Sequence, residues 1–306
     1  MRYLRGVSVR QLAAGLLTAC ALTGCAESPI IADPGIHSIA RTATSTTAGY
    51  GYGYAGPATT SSATSSVRTT VATSSKPQPV PATAANPLTQ PVALARRSCR
   101  LPAWQSDPAR VQTFLNEALR CLDRVWRPVL EKVQLPFRPA QVQVINQVTM
   151  QDCGRPPEQN SFYCNGVIYL VPASYQQSVI APVGVPTAAV DMLAHEYGHH
   201  LQELSGTLPA ALAQIEAAGR RTPAGQELSR RAELQAQCLS GMFIGASFDA
   251  TTVSLAQRDN YSRGDAPGAE PDHGQPQNFG SWFDKGVQLN TLDACNTWIA
   301  GSAEVG

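Results

Sequence analysis

The chain has 306 residues, a formal net charge of +1 and only 15% charged residues. This length allows one or two domains. The balanced charge argues against a nucleic-acid-binding protein, which typically carries a strong basic patch or stripe.

The N-terminus has the pattern of a bacterial lipoprotein signal peptide over residues 1–24. Three arginines precede an apolar run at 12–22, which is too short for a membrane span. The following Leu22-Thr23-Gly24-Cys25 resembles a lipobox, which implies that Cys25 becomes the lipidated first residue of the mature protein. We therefore expect an extracytoplasmic, lipid-anchored protein at a cell membrane. An ordinary secretory signal with an incidental cysteine is the alternative.

Residues 25–97 are rich in Ser, Thr, Ala, Pro and Gly and show no helical or strand periodicity. Such a composition cannot bury enough apolar surface to offset the entropy of ordering. The sequence therefore predicts a disordered linker over 25–97 and a folded domain over 98–306.

Cysteine usage agrees with export. Beyond the signal peptide and Cys25, the chain has an even number of cysteines, which suggests disulfides in an exported protein. Spacing favours a local Cys153–Cys164 bridge, with Cys99–Cys121 and Cys238–Cys295 as the simplest remaining pairs, although other pairings stay possible. The candidates are Cys99, Cys121, Cys153, Cys164, Cys238 and Cys295.

The folded part reads as mostly helical with a small antiparallel sheet, which is an α+β protein. Asp107-Pro108 predicts the start of a long amphipathic helix that ends before Pro136, with Trp126 in the core. Residues 141–145 predict a strand, and two further strands flank Asn165-Gly166, a strong hairpin signal. Later helices are predicted from near 186 to before Gly206, after 209, and over 223–245, 251–261 and 276–287.

The helix before Gly206 carries an H-E-x-x-H motif, His195-Glu196-Tyr197-Gly198-His199. In a helix, His195 and His199 lie one turn apart on one face, so both imidazoles can bind one Zn²⁺ ion. Glu196 lies beside them, where it could act as the general base on a water molecule. A chance match to so short a pattern is the alternative.

A catalytic zinc site needs a third protein ligand. Glu233 is the best candidate, because its predicted helix can pack against the first; an exposed glutamate paired with Arg230 is the alternative. Cys238 is a rival ligand, although disulfide parity argues against it. His200 faces away from the metal side and reads as a supporting or surface residue, and Glu203 reads as a solvated carboxylate.

Several motifs in order resemble the bacterial neutral zinc metallopeptidases over roughly residues 99–298. These are His195 to His200, Glu233-Leu234-Gln235-Ala236 with Cys238, His273-Gly274, Trp282-Phe283 and Cys295-Asn296-Thr297. The resemblance implies a zincin-like fold with one Zn²⁺ per chain in a gluzincin-type site. His195, His199 and Glu233 would be the ligands and Glu196 the catalytic base.

One position departs from the pattern: Gln237 stands where the family commonly has an aspartate that supports a ligand histidine. Loss of such a partner typically costs about 10–100-fold in metal affinity or activity. The sequence therefore predicts a zinc metallopeptidase acting on peptides or proteins. It leaves open a catalytically impaired binding module at the cell envelope and a zinc hydrolase of cell-wall peptides.

His273 is the first candidate to stabilise the developing oxyanion, and a simple loop histidine is the alternative. Tyr197 and Tyr261 are weaker candidates for this role. The sequence does not predict the substrate or the oligomeric state.

Overall fold

A computed structural model of the chain describes residues 76–145, 160–266, 268 and 270–306. The predicted signal peptide, Cys25, linker residues 25–75 and Cys153 lie outside these residues. Within them, no helix combines the length and apolar character that crossing a bilayer requires. The elements are α1 (Pro108–Lys132), β1 (Gln141–Val144), β2 (Phe162–Cys164), β3 (Val167–Leu170), α2 (Pro172–Gln176), α3 (Ala181–Ser205), α4 (Thr207–Ala218), α5 (Pro223–Ser247), α6 (Ala250–Asn260), α7 (Pro276–Leu289) and α8 (Ser302–Val305).

Helix α1 forms where the sequence predicts it. The Asp107 carboxylate accepts hydrogen bonds from the Ala109 and Arg110 amides, which satisfies two of the free N–H groups at the helix start. The apolar face of α1 is buried, and Trp126 lies in the core. The predicted cap, helix and core tryptophan are therefore all present.

The three strands form one mixed sheet in the order β1-β3-β2. Strands β2 and β3 are the predicted antiparallel hairpin, and Asn165 and Gly166 take positive φ angles of 47° and 86° at its turn. Strand β1 instead pairs parallel to β3. The sheet is thus mixed rather than wholly antiparallel, since β1 and β2 lie on opposite edges of β3 and only β2 runs antiparallel to it. The α+β class is confirmed.

Helix α3 lies at the centre of the structure and contacts both α1 and α5. It is kinked at Gly184, which has a non-helical φ of −144°, and Pro186 follows within the next turn. The kink explains why the sequence predicts a start near 186, whereas the helix begins at Ala181. The helix ends at Gly206, whose φ of 86° is the left-handed conformation predicted for its cap.

Residues 76–97 pack against the domain, although their composition predicts a linker. Leu88, Val92 and Leu94 are buried in the main core. The Asn86 amide donates to the carbonyls of Val80 and Ser205 at 2.9 and 3.0 Å, which fastens this segment to the end of α3. The packed part of the chain therefore begins before the predicted boundary at 98. Composition does not indicate this packing, because a few buried apolar residues are enough to anchor a segment that is otherwise rich in Pro and Thr.

Two of the predicted disulfides are present, Cys99–Cys121 and Cys238–Cys295. The first joins the segment before α1 to α1 itself. The second joins α5 to the 3-10 turn Leu292–Cys295 that follows α7. The predicted Cys153–Cys164 bridge stays a prediction, because Cys153 lies outside the described residues.

Candidate metal centre

Three buried side chains converge between α3 and α5. His195 and His199 project from one face of α3, and Glu233 projects from α5 towards them. Both Nε2 atoms lie 3.2 Å from the same carboxylate oxygen, Oε2 of Glu233. The structure thus brings together the three side chains that the sequence predicts as zinc ligands.

The spacing of these atoms fits a zinc ion. Zinc–nitrogen and zinc–oxygen bonds are roughly 2.0–2.2 Å long, and the ligands take tetrahedral directions. Two ligand atoms on such an ion therefore lie about 3.3–3.5 Å apart. The two nitrogen–oxygen distances of 3.2 Å are close to this value. Two imidazoles and one carboxylate also form a donor set that zinc prefers, and one coordination position would be left for water.

The remaining nitrogen of each histidine meets a glutamine oxygen. His195 Nδ1 lies 2.7 Å from Oε1 of Gln237, and His199 Nδ1 lies 2.9 Å from Oε1 of Gln202. A carbonyl oxygen only accepts, so each Nδ1 carries the hydrogen and each Nε2 keeps its lone pair for a metal. Gln202 in turn donates to Oε1 of Gln235 at 2.9 Å, which fixes its own orientation.

The ligand groups can meet because α3 and α5 approach closely at Gly198. A Cβ atom at this position would lie 2.8 Å from the Ala236 Cα and 2.9 Å from the Ala236 carbonyl oxygen. Such distances are well inside normal carbon contacts. The glycine within H-E-x-x-H therefore sets the distance between the histidine helix and the glutamate helix.

The charges at the three side chains are strongly coupled without a metal. Burial opposes ionisation of Glu233, but the His199 and His273 imidazoles outweigh it and hold the pKa of Glu233 well below its usual range. Burial likewise opposes protonation of His199, but the Glu233 carboxylate raises the pKa of His199 to about 9. The pocket therefore attracts a positive charge, which a proton or a metal cation can supply.

Glu196, the residue after His195, is buried with an exposed fraction of 4%. Burial raises the pKa of Glu196, and the nearby Glu233 carboxylate adds to this rise, while His195 and His199 oppose it. A carboxylate with a raised pKa is a better proton acceptor near neutral pH than an ordinary glutamate. Its position and its pKa both suit a general base.

His273 lies at the edge of the same group, on the loop between α6 and α7. Its Nε2 is 3.7 Å from Oε2 of Glu233, and its side chain is 34% exposed. Its Nδ1 contacts Oδ1 of Asp272 at 2.7 Å. The Asp265 carboxylate holds the loop by accepting from the backbone amides of His273 and Gly274. His273 is therefore an oriented, partly exposed imidazole beside the Glu233 carboxylate, held by Asp272.

The other residues considered from the sequence have different roles. His200 is buried, and its ring nitrogens contact the Arg138 carbonyl and the Tyr163 hydroxyl, which makes it a supporting residue between α3 and the hairpin. Glu203 accepts from the Tyr163 hydroxyl at 2.5 Å, so it is paired rather than simply solvated. Cys238 is bonded to Cys295, which excludes it as a ligand.

The weaker oxyanion candidates point elsewhere. The Tyr197 hydroxyl donates to Asp123 on α1 at 2.9 Å. The Tyr261 hydroxyl donates to Asp284 on α7 at 3.0 Å. Both hydroxyls are therefore committed to helix–helix contacts.

Sequence reasoning missed the roles of several polar residues around the site. Gln202 follows His199 by three positions, a spacing at which helical side chains meet, and this signal could have identified it. Asp272 is adjacent to His273, but neighbours in a loop need not touch. Asn260 and Asp191 reach the site only through Gln237, and no local pattern indicates them.

The sequence pattern of the family described as "Putative neutral zinc metallopeptidase" matches residues 83–266, which is more than half of the chain, so the chain belongs to this family. It is 25% identical over 229 residues to Uncharacterized protein YpfJ of Escherichia coli strain K12, covering 68% of this chain and 78% of that protein. It is 27% identical over 237 residues to Uncharacterized protein Rv2575 of Mycobacterium tuberculosis, covering 65% and 77%. No solved structure matches the chain.

Proposed function

We propose that this member of the neutral zinc metallopeptidase family hydrolyses peptide bonds in peptides or proteins, with one Zn²⁺ ion held by His195, His199 and Glu233. The observation that carries the proposal is the convergence of the two Nε2 atoms on Oε2 of Glu233 at 3.2 Å, the spacing of zinc ligands. Glu196 follows His195 on α3.

Zinc, when bound in such a site, lowers the pKa of water and polarises a carbonyl group. Glu196 supplies the proton transfer that peptide hydrolysis needs. Its carboxylate accepts a proton from the attacking water and then gives it to the leaving amine. Its buried position and raised pKa support both steps.

His273 completes the proposed mechanism. In the protonated ring, Nδ1 donates to the Asp272 carboxylate and Nε2 is left to donate a hydrogen bond towards the oxygen of the scissile carbonyl. Its partial exposure leaves it accessible to a substrate. Asp272 thus acts as the positioning residue for His273.

We further propose that the enzyme works outside the cytoplasm, lipid-anchored to a cell membrane through Cys25. The lipobox-like Leu22-Thr23-Gly24-Cys25 supports the anchor. The Cys99–Cys121 and Cys238–Cys295 disulfides support an oxidising compartment.

The alternative of an impaired binding module was motivated by Gln237. Its carbonyl oxygen lies 2.7 Å from His195 Nδ1, so it can hold the ring as an aspartate would. This contact favours the enzyme over the module.

The test combines zinc content with cleavage of casein and a peptide library. We expect one zinc per wild-type chain, retained in Glu196→Gln while cleavage falls by at least about 100-fold. Glu233→Ala should lose zinc, whereas Glu203→Ala, a matched glutamate next to the motif, should keep it. Zinc bound by the wild type without any turnover would favour the binding module, and unchanged cleavage by Glu196→Gln would refute the mechanism.

A further inference from the structure

A chain of buried hydrogen bonds runs from His195 to a second carboxylate across three helices. Oε1 of Gln237 on α5 accepts a hydrogen bond from Nδ1 of His195, and Nε2 of Gln237 donates to Oδ1 of Asn260 on α6. Asn260 donates through Nδ2 to Oδ2 of Asp191 at 2.7 Å. Asp191 lies on α3, one turn before His195. All four side chains are buried.

Each link of this chain has a fixed direction. A carboxylate oxygen only accepts, and Asn260 Nδ2 also donates to the Ala256 carbonyl at 2.8 Å. Asn260 must therefore turn Oδ1 towards Gln237. Gln237 must then turn Nε2 towards Asn260, which leaves Oε1 for His195. The order of donors ends with a hydrogen on His195 Nδ1 and a lone pair on Nε2.

From this geometry we infer that Asp191 is a positioning residue of the zinc site, supplying through Asn260 and Gln237 the carboxylate that position 237 lacks. The inference rests on the proposed function, since it concerns how His195 meets the metal. Hydrogen bonds in a chain polarise one another in a low dielectric. The Asp191 charge therefore makes Oε1 of Gln237 a stronger hydrogen-bond acceptor for Nδ1 of His195.

The surroundings of Asp191 fit a role beyond packing. Its Oδ1 accepts from the Ser240 hydroxyl at 2.8 Å, so both of its oxygens have hydrogen-bond donors. Burial nevertheless raises the pKa of Asp191 to about 6, which means that its charged form is unfavourable for the fold. If position 191 served only packing and hydrogen bonding, an asparagine would fill it without the unfavourable charge.

The first test is zinc affinity, measured by competition with a chelating dye, for wild type and Asp191→Asn. Asparagine can still accept from Asn260 and donate to Ser240, so the variant removes the charge while keeping the shape. We expect zinc affinity to fall about 10-fold, the lower end of the loss of such a partner, while the metal-free fold becomes no less stable. Unchanged zinc affinity would overturn the inference.

Asp123→Asn is the matched control, because Asp123 also binds α3, through the Tyr197 hydroxyl, but is not part of the chain to His195. It should keep wild-type zinc affinity. Should Asp191→Asn fail to fold, Asn260→Leu breaks the same chain from α6 and should lower zinc affinity similarly; wild-type affinity in that variant would again overturn the inference.

The second test moves the carboxylate. Gln237→Glu places a carboxylate next to His195 Nδ1. It also removes the N–H donor to Asn260 and leaves two buried carboxylates in the same chain of hydrogen bonds. In that background Asp191→Asn should raise zinc affinity, the reverse of its effect in the wild type. An equal loss in both backgrounds would show independent effects and contradict the inference. A wild type that binds no zinc would instead refute the proposed function itself.

Discussion

Gly198→Ala tests whether the contact between α3 and α5 sets the geometry of the metal centre. The added Cβ would lie 2.8 Å from the Ala236 Cα and 2.9 Å from both the Ala236 Cβ and carbonyl oxygen. Relaxed carbon contacts are about 3.5–4.0 Å, so the helices must separate by roughly 0.6–1 Å. Overpacking of this kind typically costs about 1–3 kcal/mol of stability.

The same displacement moves the metal-binding atoms apart. His195 and His199 move with α3 and Glu233 moves with α5, so their separation of 3.2 Å would open by most of that shift. Zinc sites tolerate only about 0.2 Å of error in their distances. We therefore expect zinc affinity to fall by at least about 10-fold, comparable with the loss of a supporting hydrogen bond.

The assays are chemical unfolding of the metal-free protein and competition for zinc with a chelating dye. Gly245→Ala is the matched control: its Cβ would lie 3.0 Å from the Val287 Cα, on the face of α5 that meets α7. It lies 12 residues beyond Glu233, roughly 18 Å along the helix. It should lose stability but keep zinc affinity. Wild-type zinc affinity in Gly198→Ala would refute the reasoning.

Three further predictions follow from the structure. His273→Gln should lower kcat by about 100-fold with zinc content retained, as expected for one lost oxyanion donor; a changed zinc content with unaltered turnover per bound zinc would contradict this. Because the pKa of Asp191 is raised from 3.8 to about 6, the folded state holds this proton more tightly than the unfolded state. Stability of the metal-free protein should therefore fall by up to about 3 kcal/mol as pH rises from about 4 to 6 and then level off, and unfolding at several pH values should show this component missing in Asp191→Asn. Replacing both Cys238 and Cys295 with serine opens a loop of 57 residues and should cost about 4 kcal/mol, measured by urea unfolding; a loss below about 1 kcal/mol would mean that the bridge barely restricts the unfolded chain.

Local signals predicted the local structure well. Asp107-Pro108 at the start of α1 and Asn165-Gly166 at the hairpin act through their own backbone preferences, so a short window of sequence is enough. The parallel pairing of β1 with β3 depends on how the strands meet in the fold, which no residue of β1 encodes. Residues 76–97 show the same limit, since Leu88 is buried by partners distant in sequence.

The candidate site divides in the same way. His195 and His199 could be paired from helical spacing alone. Glu233 could be singled out from its predicted helix, but an exposed glutamate stayed the alternative until the resemblance was added, because its helix meets α3 only in the folded state. Asn260 and Asp191 could not be assigned, because their connection to His195 crosses three helices. From the sequence, Gln237 marks the absence of a carboxylate beside the ligand histidine. In the structure, the Asp191 carboxylate lies two hydrogen bonds away from Gln237.

The attachment of residues 76–97 to the end of α3 bears on how the domain should be produced. A recombinant form that starts at Ser98, the boundary that composition suggests, would lack Asn86 and its hydrogen bond to the last carbonyl of the histidine helix. It would also expose the core surface that Leu88 covers. A soluble fragment for crystallisation or metal titration should therefore begin before Val80, whose backbone bonds to Ser205 and lies against Gly206.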